Sequence, residues 1–89
     1  MILLEQETIH PIVHINGTSR CDLLQQVLDV RSALSKVRDA MCAATPHARD
    51  YYVSRDPDLY RKAREQHFKR LGLIEALFTE YETLAEKLV

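Results

Sequence analysis

The 89-residue sequence predicts an all-α fold: a long antiparallel helical hairpin with a short N-terminal extended arm, assembled as a homo-oligomer. Three observations point there. Two Gly, three Pro and no Trp supply too few turn formers for a loop-rich β domain. Two long stretches repeat apolar residues in alternating steps of three and four. A chain this short buries a modest share of its surface, so a lone copy is marginal and self-association is the expected remedy. The whole chain, 1–89, reads as one domain.

The arm spans residues 1–15 after a loose start over 1–8. Ile9-His10-Pro11-Ile12-Val13-His14-Ile15 is β-branched and strand-like. Pro11 removes a backbone donor, which limits it to an edge strand. Asn16-Gly17 then makes a turn. Thr18 or Ser19 caps the first helix, and Ser19-x-x-Asp22 has capping-box spacing.

The first helix is expected over 19–44, with a heptad-like seam of Leu23, Val27, Val30, Leu34, Val37, Met41 and Ala44. Thr45-Pro46 ends it, because a residue before Pro leaves the α region. Residues 45–56 connect, and Tyr51-Tyr52-Val53 suits an extended stretch. Asp56-Pro57 starts the second helix, expected over 57–88, with Asp as N-cap. Its seam reads Tyr60, Ala63, His67, Arg70, Ile74, Leu77, Tyr81, Leu84 and Leu88, with Phe68, Leu71, Phe78 and Ala85 as a second stripe. Two stripes exceed what one facing helix covers. The surplus, and a strand lacking a partner in its own hairpin, predict an antiparallel dimer in which the turn region of one chain meets the arm of the other.

Net charge is −1, without the basic excess of a long-nucleic-acid binder. Residues 49–70 nonetheless hold seven Arg/Lys against four acids, and residues 71–89 hold four Glu against Lys87. Such a basic zone suits a small anion or the acidic end of an antiparallel partner. Cys21 and Cys42 lie on one helix, roughly 31 Å apart at 1.5 Å per residue, too far to bridge. The expectation is reduced thiols in a cytoplasmic protein. Met1-Ile2-Leu3-Leu4 is too short for a signal-peptide core, and no apolar run has membrane-spanning length.

Two polar stretches carry candidate ligand chemistry. His14-Ile15-Asn16-Gly17-Thr18-Ser19-Arg20 feeds a helix N-terminus, where unpaired N–H groups and the dipole favour an anion. Turn formation and capping alone are the simpler role of these residues. Arg49-Asp50-Tyr51-Tyr52-x-x-Arg55 offers tyrosines to stack on a base and arginines to pair phosphates. The alternative is a tyrosine packed over the hairpin end with Arg49 and Asp50 paired in solvent. His67 reads as a satisfied interior histidine, with ligand contact as its second reading. No spacing points to metal ligation, a cofactor or a catalytic group, so no enzyme is expected.

The turn His14-Ile15-Asn16-Gly17-Thr18-Ser19 and the loop Ala48-Arg49-Asp50-Tyr51-Tyr52, separated by one helix, resemble a family of small phage and prophage proteins. That family carries a His-Leu-Asn-Gly-Thr-Ser turn and a Gly-Arg-Asp-Tyr-Tyr loop after a Pro. Here Ile15 replaces the Leu and Ala48 the Gly. The layout matches over roughly residues 9–89. In architecture the family is similar to phage counter-defence sponges. The resemblance implies a protein of the host bacterial cytoplasm that withholds a nucleotide second messenger, a cyclic oligonucleotide or an ADP-ribose derivative, without catalysis. The expected partners are a second copy and that small nucleotide, with no membrane and no long nucleic acid. Other readings are a hairpin that docks on a host defence protein through Phe68, Leu71 and Phe78, and a phage structural component.

Overall fold

A computed structural model describes residues 7–89, and the first six residues of the arm lie outside the described part. Two helices dominate: α1, Arg20–Ala43, and α2, Leu59–Leu88, joined through a single 3-10 turn at Ala48–Asp50. The chain is a rod of 64 × 24 × 15 Å with a radius of gyration of 18.3 Å, against about 12 Å for a compact domain of this length.

Local signals set the helix ends. The Ser19 hydroxyl accepts the Asp22 N–H at 3.1 Å, and the Leu23 N–H reaches the Ser19 carbonyl at 2.9 Å. At the other end Ala44 caps α1 and Pro46 follows two residues later. The start of α2 comes later than Asp56-Pro57 predicts. Asp56 closes a turn first, its carboxylate accepting the Asp58 N–H at 2.8 Å and its carbonyl the Leu59 N–H at 3.2 Å. Asp58 stands at the N-cap without a side-chain cap bond.

The helices run antiparallel in a register fixed by two contacts. Thr45, just past α1, meets His67, and Arg38 meets Glu75 at 3.7 Å with its guanidinium 4.7 Å from the centre of the Phe78 ring. Continuing that register, the start of α1 lies level with the C-terminal end of α2, and the first turns of α2 run past the end of α1.

Four expectations need correction. No strand forms among the described residues; 9–15 is irregular, with Ile12 and Ile15 at 81% and 97% exposure. Pro11 and the absence of a facing strand leave this backbone nothing to pair with. Tyr51-Tyr52-Val53 is a turn rather than an extended stretch. The α1 seam drifts: Val30, Val37 and Ala44 turn outward, while Arg31, Ser35 and Arg38 turn toward α2. A straight helix slips about 20° per heptad against a 3.5-residue repeat, and nothing here supercoils enough to correct it. Arg70 is exposed as well, and Leu71 takes its place between His67 and Ile74.

The presumed second stripe of α2 also divides. Leu71, Phe78 and Ala85 are partly or fully buried, whereas Phe68 is exposed, so Phe68, Leu71 and Phe78 do not make one docking face. Beside them, Leu77, Tyr81 and Leu84 share a groove with Glu7, Thr8 and Ile9 of the arm. The chain thus covers part of its own surplus. Coverage stays thin: among the described residues only Ala85 and Leu88 are buried hydrophobics.

Among the described residues His67 is the one buried polar side chain, 6% exposed. The Thr45 hydroxyl donates to the Cys42 carbonyl at 2.7 Å, so toward the imidazole its oxygen accepts. Nε2 of His67, 3.2 Å away, therefore carries the proton. This bond ties the end of α1 to the middle of the hairpin. Thr45→Val leaves a buried N–H without an acceptor and is expected to cost about 1–3 kcal/mol. Thr45→Ser should unfold close to wild type in urea.

Candidate functional site

The two sequence-predicted clusters sit at opposite ends of α1, whose 24 residues span about 36 Å. The structure does not bring them together within one chain.

At the helix start, residues 14–20 are all exposed. The Gly17 N–H closes a turn onto the His14 carbonyl at 3.1 Å. The His14 imidazole lies over Gly17, where an added Cβ would come within 2.8 Å of Nε2. That ring is the far end of an exposed side chain that can swing aside, and the φ of Gly17 is not positive, so the turn does not demand a glycine. Ser19 is occupied as the α1 cap. Asn16, Thr18 and Arg20 make no side-chain hydrogen bond or ion pair among the described residues, so their polar groups face solvent.

At the other end the chain turns three times in succession. Asp50 N–H bonds the His47 carbonyl at 3.0 Å, Tyr51 N–H the Ala48 carbonyl at 3.0 Å, and Ser54 N–H the Tyr51 carbonyl at 3.1 Å. These turns fold Tyr51 back onto Tyr60 at the start of α2, with ring centres 6.1 Å apart and planes tilted by 43°. Tyr51 is half-buried and Tyr52, at 78%, stands free. Together with Ala48, Ser54, Asp56, Pro57 and Tyr60 they line a cleft of about 210 Å³. Arg49 and Arg55 are exposed beside it, and among the described residues neither makes an ion pair. Asp50 is exposed in the 3-10 turn and does not line the cleft.

Asp56 is the one acid in the cleft, and its charge is answered locally. Lys62 Nζ donates to its carboxylate at 2.8 Å. That bond, followed by the one from the Asp58 N–H, holds the Asp56 carboxyl below its ordinary pKa. The same bond holds the Lys62 ammonium above its own. Because the Asp56 pKa is lowered on folding, its stabilising effect is present above the ordinary carboxylate range and is lost as pH falls through the lowered value. In Lys62→Ala the Asp56 titration followed by carboxyl NMR should move upward, toward the ordinary value.

A cleft of this size is smaller than the ~300 Å³ at which drug-sized pockets begin. It accommodates one ring, stacked on Tyr51 or Tyr52, and leaves the rest of a ligand to the flanking arginines or to another surface. The capping chemistry at 14–20 has the complementary deficit, polar donors without a wall. Tyr60 went unassigned to the site because its spacing places it in the hairpin seam. Only the triple turn brings it under Tyr51. His67 is far from both ends and bonded to Thr45, in line with an interior role.

Among the described residues, no group of three or more His, Cys, Asp and Glu side chains clusters to hold a metal, and no helix is long and apolar enough to cross a membrane. Compared with known proteins, the chain matches no family model, no curated protein and no solved structure.

Proposed function

We propose that this chain is a non-enzymatic, homo-oligomeric binding protein that sequesters a nucleotide second messenger, either a cyclic oligonucleotide or an ADP-ribose derivative. The observation that carries the reading is the tyrosine cleft flanked by two guanidiniums that, among the described residues, have no ion-pair partner. A nucleobase stacks on a tyrosine face, and phosphates pair with Arg49 and Arg55. The cleft is half a site, so the reading needs a second copy. Its helix start supplies the Thr18 and Ser19 backbone N–H groups and Arg20 for a phosphate, and Asn16 for a base edge or ribose hydroxyl. The likeness of the turn and loop to the phage family supports the same assignment and makes counter-defence in the host cytoplasm the biological setting.

The test is isothermal titration of the folded chain with cyclic di- and trinucleotides and ADP-ribose derivatives. Saturable binding at one site per chain is expected, with the nucleotide recovered intact by chromatography. Absence of heat with every member of the panel would remove the basis for the reading, and a cleaved nucleotide would make the protein an enzyme instead.

A further inference from the structure

A groove larger than the tyrosine cleft, about 510 Å³, lies on the outer face of α2, lined by Arg61, Arg64, Glu65, Phe68 and Lys69. Phe68 is 45% exposed there, with the Arg64 guanidinium 5.4 Å from its ring centre. Arg61, Phe68, Gly72, Thr79 and Glu86 follow one another at spacings of seven, four, seven and seven, which places them on one face of the helix. At the centre of that face a Cβ built on Gly72 meets nothing within 4 Å. A glycine in mid-helix costs helix stability, and nothing among the described residues requires it here.

Charge on α2 is answered only in part within the chain: Lys62 pairs with Asp56 and Arg61 with Asp58 and Glu65, while Arg64, Lys69, Arg70, Glu82 and Glu86 make no ion pair among the described residues. Residues 59–70 hold five basic side chains against Glu65, and residues 71–88 hold four acidic ones against Lys87. The helix dipole favours the reverse, acids at the N-terminus and bases at the C-terminus. A second α2 laid antiparallel across the same face offsets both the side-chain charges and the dipole.

We infer that this face is a two-fold interface between two copies of the chain, α2 against α2, crossing just beyond Gly72. Arg61 and Arg64 of each copy lie opposite Glu86 and Glu82 of the other. Phe68 packs on the second copy near Thr79, and Gly72 lets the backbones approach. Such a contact is isologous, so each pairing occurs twice. In this register the Tyr51 turn of one copy comes level with the Ser19 end of the other, which is what the half-site reading requires. The interface goes beyond that reading and stands without a ligand.

The test is light scattering on the full chain with helicity checked by circular dichroism. Wild type should have twice the 10.3 kDa chain mass and dissociate more readily in high salt. Arg61→Glu/Arg64→Glu should self-associate at least about tenfold more weakly, as should Glu82→Arg/Glu86→Arg, and a mixture of the two should pair again. Gly72→Leu should raise helicity, since leucine is the better helix former, yet abolish pairing. A monomeric wild type, a mixture that does not pair, or a Gly72→Leu chain that still pairs would overturn the interface. Pairing without nucleotide binding would leave the interface intact and remove the messenger reading.

Discussion

Leu88→Ala should cost about 2–3 kcal/mol, toward the lower part of the range for a leucine buried and truncated, because a helix end can partly collapse around the gap. Leu88 is the most enclosed side chain described, 1% exposed. It lies where the register brings the end of α2 to the start of α1, and with Ala85 one turn earlier it closes the open end of the hairpin. A chain of this length commands only roughly 4–13 kcal/mol in all, and with two buried hydrophobics described this one falls low in that span. Urea unfolding should show the loss. Hydrogen exchange should show it concentrated in the first turns of α1, with the Thr45–His67 end less affected.

Tyr51→Ala should weaken nucleotide binding by about 1–3 kcal/mol, or roughly 5- to 150-fold, the range for loss of one stacking platform. Tyr51 rather than Tyr52 is the fixed wall, since it is held against Tyr60 and half-buried. Tyr52 is free to close on the opposite side of a base. Tyr52→Ala should therefore cost less than Tyr51→Ala, and Tyr51→Phe should bind like wild type if the ring face is what matters. Titration of the four proteins with one tight-binding nucleotide decides the order. Equal losses at both positions would mean that the preformed stack contributes nothing.

The legible parts of the fold are those set by neighbours in sequence. Ser19 with Asp22, Pro46, and the long three-and-four spacing gave both helices to within two residues. Misread features depended on accumulated rotation or on distant chain. Val30 and Val37 look like seam residues if the repeat is held at seven, yet a straight helix carries them outward. Arg70 also lies outside the packed face, where Leu71 takes its place. The strand-like 9–15 has the right side chains, but strands also need a partner backbone, and none of the described residues offers one. In the site, Tyr51, Tyr52, Arg49 and Arg55 were readable as a local cluster. Tyr60 was not, because three successive turns bring it there and its spacing alone assigns it to packing. His67 could be read as interior, whereas its partner Thr45, across 22 positions, could not.

The central claim is that two copies bring a tyrosine turn and a helix start together. Native Cys21, exposed in the first turn of α1, marks one side. Val53, at 79% exposure, marks the other and tolerates replacement. In a Cys42→Ser/Val53→Cys chain, a short bis-maleimide should join Cys21 of one copy to position 53 of the other and give a covalent pair at twice the chain mass. Removing Cys21 as well should abolish that product. A chain that pairs in solution yet never links these two positions would contradict the account.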